Sequence, residues 1–218
     1  MSEAEAPNKV SIGISRRYRI FRRVVVALGV FFLGFRVYGE ERVPESGPLI
    51  IVSNHGQYLD PVYVSMAAPR RVQWMGKKQL FIFPLKRFFY LIGCFPVDRE
   101  GGGRAALKAA LRYLDLGAAL GIFPEGTRRK HGYDPDDAPK SGMVMLSARS
   151  GAPVLPVHVG KVPGPIKRLK GGRLEVHIGE PRTIDPANKG NKPYAEAADS
   201  LLREVYALPD EPFDERAG

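Results

Sequence analysis

Short apolar runs recur along the chain, separated by polar breaks rich in glycine and proline. LIIV (49–52) is apolar at every position, the pattern of a strand buried on both faces. RVQWMG (71–76), CFPV (94–97) and ALGIF (119–123) read as further strands. VLPVHVG (154–160) reads as another, in which Pro156 predicts an edge position or a bulge. GRLEVHIG (172–179) alternates cleanly and reads as a half-buried strand. Between these runs the period changes to that of a helix. PVYVSMAA follows Asp60, FPLKRFFYLIG (83–93) closes at Gly93, and MVMLSARSG closes at Gly151. RAALKAALRYLDLG (104–117) places Leu107, Ala110, Leu111 and Leu114 on one face and stops at Gly117. YAEAADSLLREVYAL (194–208) is a closing amphipathic helix. Strands alternating with helices predict one α/β domain, a mixed and mostly parallel sheet flanked by helices.

The first part of the chain differs. Arg16, Arg17, Arg19, Arg22 and Arg23 lead directly into VVVALGVFFLGF (24–35). Twelve helical residues span about 18 Å against a hydrocarbon core of about 30 Å, too short for a comfortable crossing. A signal peptide is disfavoured because RVYGEE, not a small-residue cleavage site, follows. A buried core helix and a membrane-surface helix with a basic collar both fit, and the basic collar favours the second. The expected organisation is a basic and apolar membrane-associated segment (1–37), a catalytic domain (38–209) and an acidic tail (210–218).

Composition adds limits. With 218 residues and one cysteine, the chain has room for one core and no intrachain disulfide. Four scattered histidines show no metal-ligand spacing. A net charge of +10 favours an anionic partner, whether nucleic acid, membrane lipid or a phosphorylated substrate. Nothing resembling a helix-turn-helix or a stacking platform accompanies the charge, so nucleic acid is set aside.

The stretch VSNHGQYLDPV (52–62) carries the candidate chemistry. His55 and Asp60 stand five apart, which puts them about 140° out of register on a helix and on opposite faces of a strand. They meet only if the chain turns between them. Gly56 permits the turn, and Pro61 suits a first helical position with Asp60 as its N-cap. An aspartate accepting from one imidazole nitrogen would leave the other free to take a proton from a hydroxyl. Three further segments offer anion-binding groups: GKKQL (76–80), GCFPVDRE (93–100) and GIFPEGTRRK (121–130).

Together these segments resemble the glycerolipid acyltransferase family, which includes the lysophosphatidate acyltransferases. Asn54, His55 and Asp60 match its N-H-x-x-x-x-D motif. Gly93, Val97, Asp98 and Arg99 match G-x-x-x-[IV]-D-R. Phe123 to Arg128 match F-P-E-G-T-R, and VLPV (154–157) matches a strand with an internal proline. The likeness runs over roughly residues 38–180. It implies transfer of a fatty acyl group from coenzyme A or acyl carrier protein to a glycerol hydroxyl. The acceptor it favours is lysophosphatidate; a lyso-aminolipid, a glycolipid and glycerol 3-phosphate are alternatives, and an acyl thioesterase is a more distant one. By the resemblance His55 is the general base and Asp60 orients it. Lys77, Arg99 and Arg128 hold the acceptor phosphate. Glu125, Gly126 and Thr127 position its glycerol, with Asn54 in support. No metal and no bound cofactor is expected, and a backbone N–H near the turn is the expected oxyanion donor. Without a G-x-S-x-G elbow, and with Cys94 inside an apolar strand pattern, no acyl-enzyme is expected. A monotopic or peripheral place on the cytoplasmic face of an anionic membrane follows from the acceptor.

Overall fold

The computed structural model describes residues 16–97, 103–129, 132–184 and 190–210. Among them the strands are β1 (Arg36–Tyr38), β2 (Leu49–Ser53), β3 (Val72–Lys77), β4 (Cys94–Val97), β5 (Ala119–Ile122), β6 (Val154–Val159) and β7 (Glu175–Ile178). The α-helices are α1 (Arg16–Leu33), α2 (Asp60–Ala67), α3 (Leu85–Leu91), α4 (Gly103–Asp115), α5 (Gly142–Ser150), α6 (Pro165–Leu169) and α7 (Asn191–Ala207). The strands form one sheet in the order β1-β7-β6-β2-β5-β3-β4. The five from β6 to β4 run parallel, whereas β7 is antiparallel to β6 and carries β1 parallel to itself.

The all-apolar run of β2 has a direct cause: it lies mid-sheet with helices on both faces. Leu49 and Ile51 enter a core shared with Val64, Met66, Trp74 and the inner face of α1. Ile50 and Val52 enter a second core with Leu114, Met143 and Leu201 from α4, α5 and α7. All five parallel strands present their C-terminal ends to one edge, where loops in such sheets bind ligands. The segments carrying His55, Lys77 and the FPEGTR turn leave the sheet there.

Two expectations change, and a third is decided between its alternatives. Pro156 sits in an interior strand, since β6 pairs with β2 on one side and β7 on the other. The ring is tolerated because the pairing bulges beside it: Val157 stands opposite Ile178, and past Pro156 the register is one residue longer on the partner side, with Val154 opposite Arg182. Its carbonyl still accepts Gly179 N–H at 2.9 Å, and backbone bonds resume beyond it between Val154 and Arg182 at 2.7 and 2.9 Å. Asp60 opens α2 but makes no side-chain cap; its carboxylate turns back to the preceding loop. The N-terminal helical segment ends at Leu33, and residues 36–38, read as part of it or its border, form the edge strand β1.

Among the described residues no helix is long and apolar enough to cross a membrane. Instead α1 packs Phe21, Val25, Val26 and Leu33 onto the core and turns Val24, Leu28, Phe31 and Phe32 outward. It therefore combines features of the two alternatives, with one face against the domain and an apolar face exposed.

Candidate active site

Where β2 ends, the chain makes a turn over residues 54–59 that closes on the first residue of α2. Asp60 Oδ2 accepts the backbone N–H of Gly56 at 2.8 Å and of Gln57 at 2.7 Å. The same oxygen lies 3.0 Å from His55 Nδ1. One carboxylate oxygen thus builds the turn and pairs with the imidazole. Asp60 is 1% exposed, whereas the His55 side chain keeps 19% of its surface. With Nδ1 directed at Asp60, the ring's other nitrogen, Nε2, is the one left for a substrate proton.

The imidazole is fixed from the side as well. Its ring stacks on Phe123 with centroids 4.1 Å apart and planes 18° apart. Phe123 in turn stacks on Trp74 at 4.9 Å and 13°. The indole N–H donates to Ser65 Oγ at 3.0 Å, and that hydroxyl donates to the Pro61 carbonyl at 2.6 Å. A Cβ at residue 121 would come within 2.4 Å of the indole, so only glycine at that strand position leaves space for the stack.

Asn54 and Gln57 hold the turn to the end of β6. The Asn54 amide donates to the Val159 carbonyl at 2.9 Å and accepts the Val159 N–H at 2.7 Å. Gln57 donates to the Gly160 carbonyl at 3.1 Å and accepts the Val162 N–H at 3.3 Å. Asn54 is therefore committed to the fold at both ends of its amide. Gln57, which carries no signal in the sequence motif, acts as its companion.

The FPEGTR turn supports the centre from below. Glu125 is buried, and its two oxygens are taken: Oε2 accepts the His55 backbone N–H at 2.9 Å, and Oε1 accepts the Tyr206 hydroxyl at 2.6 Å. Burial raises the carboxyl above its ordinary range, and the hydrogen bonds from Tyr206 and His55 pull it part of the way back. The Tyr206 phenol is raised in turn, by burial first and then by its bond to Glu125. Arg129 donates its backbone N–H to the His55 carbonyl at 2.7 Å. Its guanidinium closes the following loop on Asp137. The N–H groups of His55, Gly56 and Gln57 are all engaged within the fold, so none of these three fills the oxyanion role expected of the turn.

The basic groups divide. Arg128 is exposed, and its guanidinium carbon lies over the Tyr58 ring, 3.3 Å from the centroid. Lys77 ends β3 and is exposed on the same edge of the sheet. Gly126, at φ +69°, and Thr127 are exposed on the turn itself. Arg99 and its neighbour Asp98 lie outside the described residues. Cys94 is buried, which pushes its thiol up to about 12 and makes it a poor nucleophile. Among the described residues no cluster of His, Cys, Asp or Glu is built to hold a metal ion.

Comparison with known proteins gives an independent view. A family model described as acyltransferase matches residues 34–160. A 1-acyl-sn-glycerol-3-phosphate acyltransferase of Bacillus subtilis is 31% identical over 151 residues, covering 68% of this chain and 73% of that protein. One from Streptococcus pneumoniae is 26% identical over 214 residues, covering 94% of this chain and 77% of that protein. The crystal structure of the 1-acyl-sn-glycerophosphate (LPA) acyltransferase PlsC from Thermotoga maritima has a TM-score of 0.55. That likeness covers 89% of this chain and 85% of that one, at 22% identity, and is a likeness of fold.

Proposed function

The chain belongs to the acyltransferase family, and from that premise we propose that it moves a fatty acyl group from a thioester to the free hydroxyl of lysophosphatidate, giving phosphatidate. The donor is coenzyme A or acyl carrier protein. The observation that carries the mechanism is the 3.0 Å contact between His55 Nδ1 and Asp60 Oδ2. As the acceptor oxygen attacks the thioester carbonyl, His55 Nε2 takes the hydroxyl proton. The imidazolium that forms is balanced by Asp60. The tetrahedral intermediate then collapses with cleavage of the C–S bond, and the departing thiolate takes its proton from the imidazolium. No acyl-enzyme forms, and no metal or bound cofactor takes part. Arg128, its guanidinium presented on Tyr58, holds the acceptor phosphate together with Lys77 and Arg99. The exposed Gly126 and Thr127 border the glycerol. Glu125 acts one step removed, through the backbone of His55.

The acceptor lies in a bilayer, and the exposed apolar side chains suit a membrane surface. Phe31 and Phe32 on α1, Ile82 and Phe83 before α3, and Ile166 and Leu169 on α6 are all more than half exposed. Lys167 and Arg168 adjoin the last pair, and Arg168 is tied to the carbonyls of Phe31 and Phe32. These side chains support the reading of a monotopic or peripheral enzyme, which we assign to the cytoplasmic face of the membrane. Acyl transfer to a panel of lysophosphatidate, lyso-aminolipid, glycolipid and glycerol 3-phosphate tests the reading. Transfer to lysophosphatidate that disappears in His55→Ala is expected. Full activity in that variant would overturn the mechanism, and thiol release without any acceptor would make the protein a thioesterase.

A further inference from the structure

Three rings form a column behind the reaction centre, and the innermost is the most firmly held. The His55 imidazole lies on Phe123 and Phe123 on Trp74, with successive planes inclined by only 18° and 13°. Phe123 follows the last residue of β5 and is half-buried. Trp74, the one tryptophan of the chain, is 4% exposed within β3. Its partners in register are Cys94 of β4 and Gly121 of β5. The indole lies over Gly121, where a Cβ would come within 2.6 Å of three atoms of its six-membered ring. Residues two apart along a strand share a face, so an indole laid over Gly121 meets the ring of Phe123.

The column answers a mechanical need. The contact between Nδ1 and Asp60 Oδ2 fixes one edge of the imidazole, but a ring hinged on one hydrogen bond can still tilt. Nε2, on the far side of the ring, would swing furthest. A flat wall behind the ring stops the tilt, provided the wall does not give. Phe123 is the wall and Trp74 its backing. The indole is anchored in its turn: its N–H reaches Ser65 Oγ, and that hydroxyl reaches the Pro61 carbonyl in the first turn of α2, beside Asp60. Ring wall and carboxylate are thus carried on one frame. A phenylalanine at this position could stack but could not make that bond.

We propose that Trp74 is a positioning residue for the reaction, acting through Phe123 to set the plane of the His55 imidazole. It touches no reacting atom. Its effect on rate rests on the acyltransferase reading, whereas its effect on the ring does not. The imidazolium formed when the hydroxyl proton is taken lies against the negative π face of Phe123, so the column favours the charged ring as well as aligning it.

The full chain in detergent, isotope-labelled in its histidine rings, provides the test. Hydrogens stacked on an aromatic face resonate upfield, and the signal missing from His55→Ala identifies His55 among the four histidines. In Trp74→Leu that upfield displacement is expected to shrink. The kcat for acyl transfer is expected to fall about tenfold, the value of one stacked pair, with both KM values within about twofold. Trp74→Phe, which keeps a ring, is expected to recover most of the displacement and to bring kcat within about threefold of wild type. Circular dichroism in urea gives the folded fraction of each variant. Should Trp74→Leu not fold, Gly121→Ala makes the same test, because its Cβ displaces the indole without removing it. A folded Trp74→Leu or Gly121→Ala protein whose His55 resonances stay in place overturns the proposal. So does a kcat loss no larger than the unfolded fraction, since a merely structural role would then suffice. If the resonances move as expected while the wild type does not acylate lysophosphatidate, the column stands and the acceptor assignment falls.

Discussion

Asp60→Asn separates the two tasks of a single carboxylate oxygen. Oδ2 receives two backbone N–H groups and the imidazole, whereas Oδ1 is buried without a described partner. An asparagine must keep its carbonyl oxygen toward the two backbone donors, because an NH2 group there would face N–H groups. The carbonyl then still accepts from Nδ1, the tautomer is preserved, and the amide NH2 takes the place of Oδ1. What disappears is the negative charge opposite the imidazolium. A unit charge pair at that 3.0 Å separation is worth roughly 5 kcal/mol at an effective dielectric of about 20. The imidazole is partly solvated, so the loss in the transition state should be about 3–4 kcal/mol, roughly 10²–10³ in kcat. The buried, unpaired NH2 should cost about 1–3 kcal/mol of stability, which urea unfolding reads separately. Initial rates of acyl transfer at saturating substrates give kcat. A variant that unfolds with native cooperativity and keeps kcat within about threefold of wild type would refute the electrostatic role of Asp60, since that is under 1 kcal/mol.

Other consequences can be measured. Tyr206→Phe removes the donor to Glu125 Oε1 and should cost about 1–3 kcal/mol in unfolding; its effect on transfer should appear in kcat with little change in either KM, since Tyr206 acts through Glu125 and the His55 backbone. Arg128→Ala should raise the KM of lysophosphatidate about tenfold or more while leaving that of a phosphate-free acceptor unmoved. His158 is held down to about 4 from 6.5, first by burial and then by the neighbouring His177. The unfolded chain therefore binds the proton first, and this contribution is complete above pH 6.5 and is lost as the pH falls toward about 4. Urea unfolding at pH 7.5 and 4.5 should show a loss on the order of 2 kcal/mol from this group, and His158→Gln should flatten that part of the slope.

The fold was legible where pattern and burial coincide. The fully apolar run of β2 announced a strand covered on both faces, and Gly93, Gly117 and Gly151 marked helix ends because their positive φ suits that reversal. β1 was not legible, because three residues are too few to display alternation. The proline of β6 announced an edge or a bulge but not which of them, because the sequence does not say that β7 and the residues after it cover that side. In the site, the five-residue spacing of His55 and Asp60 demanded a turn, and the turn is present. It did not reveal that Asp60 builds that turn instead of capping α2. The long-range partners were silent too. Tyr206 lies 81 residues from Glu125, and Val159 lies 105 from Asn54, and no local spacing encodes either contact.

Those separations also set an order of assembly. Every residue of the His55 turn has left the ribosome long before Val159 and Gly160 exist to receive Asn54 and Gln57. Glu125 in turn meets Tyr206 only once α7 has been made. A growing chain thus carries both the histidine and the aspartate for most of its synthesis without the frame that aims them. Competence for acyl transfer arrives only as α7 closes.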